Sequence, residues 1–151
     1  MKEFKSIDDI LDFAINNEQN AVDFYTQLAN ESTNEEMIKV FTQFAKEEMG
    51  HKAFLTKIKT EGTFTVKNEK VLDLKMSDYL VDVKPKPNMP YEDALILAMK
   101  REKNAFKLYM DLSEVAPNDS LKKIFSSLAI EESKHKLRFE LEYDEYVLRE
   151  N

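Results

Sequence analysis

Apolar residues recur along most of this chain at alternating spacings of three and four, the period of a helix with one buried face. Four stretches show it. The first has a seam of Leu11, Ala14, Glu18, Ala21 or Val22, Tyr25 and Leu28, and the second of Phe41, Phe44, Glu48, His51, Leu55 and Ile58. The third carries Leu95, Ala98, Glu102, Ala105, Tyr109 and Leu112, and the fourth Phe125, Leu128, Glu132, His135 and Phe139. Ser6-Ile7-Asp8-Asp9 is a capping box that opens the first helix. After a turn at Asn30 to Asn34, Thr33-x-x-Glu36 is a second box that opens the next helix. That helix runs to about Glu61, with Gly62 as its stop. Pro90 suits the first position of the third helix, with Asp93 in the opening turn. Ala116-Pro117-Asn118-Asp119 is a turn that leads into the fourth, which runs to about Leu148.

The segment from Gly62 to Met89 has a different character. Thr63-Phe64-Thr65-Val66 alternates like a strand, Ser77 to Val83 fits a short helix, and Pro85-Lys86-Pro87 is extended. On either side of it lies an internal repeat. A shift of 84 residues aligns Asp9–Ile58 with Asp93–Glu142 without a gap, and about a third of the positions are identical. Two repeated helical hairpins predict an all-α fold, a four-helix bundle in one domain over 1–151, with hairpins at 6–61 and 90–148 joined by a crossover link at 62–89. The link is far longer than a bundle turn of roughly 2–8 residues. It can travel the length of the bundle, which makes the second and third helices parallel. An exchange of hairpins between two chains is equally compatible with that length.

Six of the seam positions are not apolar. Glu18, Glu48, Glu102 and Glu132 are carboxylates, and His51 and His135 are imidazoles. A buried charge without a partner costs several kcal/mol, and no Lys or Arg falls on any seam. Two divalent cations would neutralise four carboxylates, with the histidines as neutral nitrogen donors. Glu and His three apart share a helix face, so each Glu-x-x-His can present two donors to one ion. A single Glu-x-x-His is common by chance. Two in register within a repeat, each with a seam Glu upstream, make a specific signal, and together they use both histidines of the chain. This is the ligand set of di-iron and di-manganese carboxylate bundles, for which it is the standing example.

Tyr25 and Tyr109 each follow a seam Glu by two turns on the same face. Either their hydroxyls orient a carboxylate or supply a proton, or they are core tyrosines bonded to any acceptor. Glu47 and Glu131 adjoin the motif but point about 100° away. Gly50 in mid-helix costs up to about 1 kcal/mol, and is either merely tolerated or admits a close neighbour.

Composition narrows the classes further. A net charge of −7 without a Lys/Arg cluster argues against a nucleic-acid binder. The absence of cysteine excludes disulfides, thiolate zinc sites, iron–sulfur clusters and rubredoxin-type iron within these 151 residues. No apolar run approaches the ~18 residues of a membrane span, and Met1-Lys2-Glu3-Phe4-Lys5 is not an apolar leader. A soluble cytoplasmic protein is expected, with no membrane partner.

With Glu18-x6-Tyr25, Glu48-x-x-His51, Glu102-x6-Tyr109 and Glu132-x-x-His135 in place, both hairpins resemble the ferritin-like superfamily, and most closely the rubrerythrin group. The resemblance implies two iron ions, with manganese or zinc as alternatives. It implies that Glu48 and Glu132 bridge them, and that Glu18 with His51, and Glu102 with His135, are terminal ligands. The activity it implies is a non-haem di-iron oxidoreductase of peroxidase type, reducing hydrogen peroxide or O2 in oxidative-stress defence. The alternatives are a ferritin-like protein that oxidises and handles iron, and a metal-stabilised bundle with a binding role. Without a cysteine-bearing rubredoxin domain in this chain, electrons would come from an external donor such as a rubredoxin-like protein. A homodimer, swapped or not, is expected. Rubrerythrin proper has a further carboxylate one turn after the third-helix ligand, where this chain has Ala105.

Overall fold

The computed structural model describes residues 6–62, 79 and 89–150. Helix α1 spans Ile7–Glu31 and starts where Ser6, in extended conformation, accepts the N–H of Asp9 on its hydroxyl at 3.2 Å. Asp8 and Asp9 then face the positive end of the helix dipole. Helix α2 spans Glu35–Glu61, and its cap is Asn34 rather than the expected Thr33. The N–H of Met37 donates to Asn34 Oδ1 at 3.2 Å, while the N–H of Asn34 itself donates to the Ser32 hydroxyl at 3.2 Å. That second bond holds Ser32 to Asn34 in a turn and moves the helix start along by one residue. Gly62 ends α2 with φ 63°, a left-handed conformation that glycine adopts without steric cost.

Helix α3 spans Tyr91–Val115 and α4 spans Asp119–Glu150. Pro90 precedes the first helical residue instead of being it. Its ψ of 143° is extended, while its carbonyl accepts the N–H of Ala94 at 3.0 Å. Asn118 caps α4, its Oδ1 accepting the N–H of Leu121 at 2.9 Å. Asn118 is the repeat counterpart of Asn34, so both hairpins start their second helix with the same device.

The chain divides into two compact units, Phe4–Val71 and Leu72–Asn151 with Met1–Glu3, each built on one hairpin. In the first, Ile10, Leu11, Ala14, Tyr25, Phe41, Leu55 and Ile58 are buried. In the second, Leu95, Ala98, Leu112, Phe125, Leu128 and Phe139 are. Apart from Ile10, which the sequence pattern left off the seam, these are the seam positions expected from the sequence, and of the expected ones Phe44 and Ala105 are only half-buried. The strand-like segment 63–66 and the extended 85–87 lie outside the described residues, as does all of the 77–83 segment except Tyr79. Tyr79 is buried, donates to Asp111 Oδ2 on α3 at 2.7 Å, and has Lys107 Nζ 5.1 Å from its ring centre. Among the described residues there is no strand, and no helix is long and apolar enough to cross a membrane.

Candidate metal centre

Glu18 sits midway along α1, and Glu48 and His51 sit one turn apart on α2. The tight turn at Ser32–Asn34 folds the two helices back on one another and sets these residues at the same level. All three are buried, with exposures of 2 %, 1 % and 6 %. His51 Nδ1 stands 3.6 Å from Glu18 Oε2 and 3.6 Å from Glu48 Oε1. The second hairpin repeats the arrangement. His135 Nδ1 stands 3.5 Å from Glu102 Oε1, Glu132 lies one turn before His135 on α4, and all three are buried. Within each hairpin, the two carboxylates and the imidazole offer ligand atoms within 4.8 Å of one another.

The separations bear on what these groups can hold. A direct N–H···O hydrogen bond closes to ~2.7–3.2 Å. Two donors that each bind a common ion at ~2.1 Å stand roughly 3.0–3.6 Å apart, depending on the angle between the bonds. The observed spacings fall at the wide end of that second range. To offer the Nδ1 lone pair to an ion, each ring would carry its proton on Nε2 and act as a neutral donor. Each hairpin then places two carboxylates and a neutral nitrogen around one point, a charge that one divalent cation balances. The mixture of carboxylate and imidazole without thiolate suits iron, manganese or zinc. Burial pushes the Glu18 carboxyl well above its ordinary value, the charge of Glu48 adds to the push, and His51 opposes it. A cation beside these oxygens would reverse that shift. The donor set fits a metal.

Tyr25 and Tyr109 are both buried, at 0 % and 1 % exposure, but pack differently. The Tyr25 ring meets Phe44 edge-on with centroids 6.3 Å apart, whereas Tyr109 stacks on Phe125 at 6.4 Å. Glu131 is exposed and Glu47 half-buried, as their angular offset implies. Gly50 is exposed, and a Cβ built on it meets nothing within 4 Å, so it is a tolerated glycine and not the site of a close approach.

One buried charge escaped the sequence reading. Glu142, 2 % exposed, accepts the Tyr91 hydroxyl at 3.2 Å and Arg149 Nη2 at 3.1 Å. Burial, and then the charge of Glu142, push the Tyr91 phenol above its ordinary value. The signal was present in the seam, since the three-and-four alternation continues from Phe139 to Glu142, where the first repeat has Ile58.

These features define an all-α protein of the ferritin-like four-helix bundle class. A crystal structure from Thermotoga maritima, described as a ferritin-like diiron-carboxylate protein, superposes with a TM-score of 0.78 over 97% of this chain and 99% of that one, at 20% identity. A hypothetical protein from Pyrococcus furiosus matches with a TM-score of 0.72 over 89% of this chain and 86% of that one, at 25% identity. The rubrerythrin family model matches residues 9–143, and the chain belongs to the rubrerythrin family. No curated protein sequence matches it.

Proposed function

We propose that this protein is a di-iron carboxylate oxidoreductase that reduces hydrogen peroxide with electrons from an external donor. The observation that carries the reading is the duplicated buried set, Glu18, Glu48 and His51 in one hairpin and Glu102, Glu132 and His135 in the other. Membership of the rubrerythrin family and the likeness to a diiron-carboxylate protein support iron as the metal. When bound, two ferrous ions supply the two electrons that convert one hydrogen peroxide and two protons into two waters.

The chain's own residues supply the rest. Glu18 with His51, and Glu102 with His135, would hold the ions. Glu48 and Glu132 would complete the two ligand sets. Burial of all six keeps bulk water from the ligands. The Tyr25 and Tyr109 hydroxyls orient carboxylates or deliver protons. A rubredoxin-like protein in the reducing cytoplasm is the donor class that fits a chain without cysteine.

Ala105 favours a second reading. It is half-buried on the α3 seam, where rubrerythrin proper has a further carboxylate, and its methyl group can neither ligate nor exchange with a histidine. Iron oxidation and handling needs no such exchange. Anaerobic ferrous protein mixed with hydrogen peroxide, and separately with O2, distinguishes the two by the visible spectrum of the oxidised iron. Faster oxidation by peroxide is expected. Faster oxidation by O2 points to iron handling, and a spectrum unchanged by either oxidant leaves a structural metal.

A further inference from the structure

The second hairpin carries, away from its metal ligands, a closed group of polar and aromatic side chains that the proposed reaction leaves unused. The Tyr91 hydroxyl donates to Glu142 Oε1 at 3.2 Å, and Arg149 Nη2 donates to the same oxygen at 3.1 Å. The Arg149 guanidinium lies 6.0 Å from the centre of the Tyr146 ring, and Tyr146 meets Tyr91 edge-on with centroids 5.1 Å apart. Glu142 is buried, Tyr91 and Tyr146 are half-buried and Arg149 is exposed, so the group runs from the core to the surface. Building a ligand-bearing hairpin does not require it. At the counterparts of Tyr91, Glu142 and Tyr146 the first repeat has Ile7, Ile58 and Gly62, in a hairpin with the same Glu-Glu-His set.

The group stands in reach of the metal centre. Glu142 follows His135 on α4 by two turns, ~10 Å along the axis, and Tyr91 precedes Glu102 on α3 by three turns, ~16 Å. Leu95, Ala98 and Phe139 lie on the seams between these levels, and all three are buried. An electron can cross such a packed interior, but a proton cannot, so a phenol oxidised there must leave its proton close by. Burial and the charge of Glu142 hold the Tyr91 phenol above its ordinary value, so its proton stays in place until an electron leaves. Glu142, already hydrogen-bonded to the phenol, is placed to take that proton.

We propose that Tyr91 is an auxiliary electron donor to the metal centre, with Glu142 as its proton acceptor, when only the second hairpin holds ferrous iron. The inference rests on the peroxide-reducing reading. Hydrogen peroxide needs two electrons to become two waters. A lone ferrous ion gives one, which splits the O–O bond into hydroxide and a hydroxyl radical that attacks the site. With Tyr91 giving the second electron, the O–O bond breaks, two protons from solvent complete two waters, and the iron becomes ferric. The Tyr91 proton moves to the Glu142 carboxylate, and Tyr91 is left as a neutral phenoxyl radical. The external electron donor then reduces the radical near the surface, and Glu142 returns the proton.

The Glu18→Ala/His51→Ala variant, loaded anaerobically with one ferrous iron per chain and mixed with hydrogen peroxide, tests this by freeze-quench electron paramagnetic resonance. A tyrosyl radical is expected. Adding Tyr91→Phe should abolish it, and adding Glu142→Gln should lower its yield at least ~10-fold, with spin-trapped hydroxyl radical rising in both. The parent loaded with two irons, which supply both electrons, should form none. The metal-free parent gives a second test that needs no ligand substitution. Photogenerated tris(bipyridine)ruthenium(III), a one-electron oxidant, should leave a radical whose high-field g tensor reports a hydrogen bond, absent in Tyr91→Phe and altered in Glu142→Gln. Iron left ferrous by peroxide would overturn the redox reading and this inference with it. Ferric iron formed without a tyrosyl radical, or a radical that survives Tyr91→Phe in either preparation, would overturn the role of Tyr91 alone.

Discussion

His51 Nδ1 stands 3.6 Å from Glu18 Oε2 across the α1–α2 hairpin, and both side chains are buried. The distance exceeds that of a direct hydrogen bond but fits two donors sharing one ion. The relation recurs between His135 and Glu102 at 3.5 Å. A buried carboxylate and an imidazole kept at this spacing in both repeats are the physical basis of the metal-centre reading, and the consequences below follow from it and from its surroundings.

Acidity should stabilise the metal-free protein and destabilise the loaded one. Burial and Glu48 raise the Glu18 carboxyl in the folded state above its ordinary value of 4.5. Between the unfolded and folded values the native chain holds a proton that the unfolded chain has released. This stability is fully present below the unfolded value and is lost as pH rises through the folded one. Metal reverses the dependence, because its ligands must be deprotonated. Melting temperatures from about pH 5 to about pH 8 should fall for the metal-free protein and rise for the loaded one. The same slope in both would contradict the assignment of Glu18 as a ligand.

Tyr25→Phe and Tyr109→Phe keep the ring packing and remove only the hydroxyl. If the hydroxyls orient ligand carboxylates, each change should slow peroxide oxidation of the ferrous protein by about 10-fold or more with iron content unchanged. Stopped-flow rates equal to those of the parent would make both residues core tyrosines and nothing else.

Glu142 can be tested against its own repeat counterpart. Tyr91→Phe leaves the buried carboxylate with one fewer donor and should cost roughly 1–3 kcal/mol in urea unfolding. Glu142→Ile removes the charge itself and should change stability by no more than about 1 kcal/mol, since Tyr91 and Arg149 are both partly exposed and can turn to water. The double variant should then be less destabilised than Tyr91→Phe alone. Strict additivity would mean that the phenol and the carboxylate are not coupled.

The two glycines should respond in opposite directions. Gly50→Ala adds a Cβ into open space on an exposed helix face and should stabilise by ~0.5–1 kcal/mol. Gly62→Ala forces an alanine to φ 63° and should destabilise by about 1 kcal/mol. Equilibrium unfolding of the two variants side by side is enough to check this.

Much of this architecture is legible in the sequence, because a ligand on a bundle seam obeys the same spacing as the apolar residues around it. Glu48 and His51 between Phe44 and Leu55 reveal both the helix and the chemistry, and the repeat makes the pattern specific. Helix ends are less legible, because neighbouring polar residues compete for the same cap. Thr33 and Asn34 can both accept the first-turn N–H groups, and the Ser32 hydroxyl bound to the Asn34 N–H favours Asn34. Glu142 lies one step beyond the last seam residue assigned, where a carboxylate without an obvious partner reads as solvated. Its partners, Tyr91 and Arg149, are brought to it by the α3–α4 pairing and by the following turns of α4 respectively.

The claim that each hairpin binds one ion is tested most directly by counting iron. The chain would be loaded anaerobically with ferrous iron and freed of unbound metal. It would be compared with a Glu18→Ala/His51→Ala variant and a Glu102→Ala/His135→Ala variant. Two irons per parent chain and one in each variant, with helix content preserved, is the expected result. A folded parent without iron, or a variant that still holds two, would contradict it.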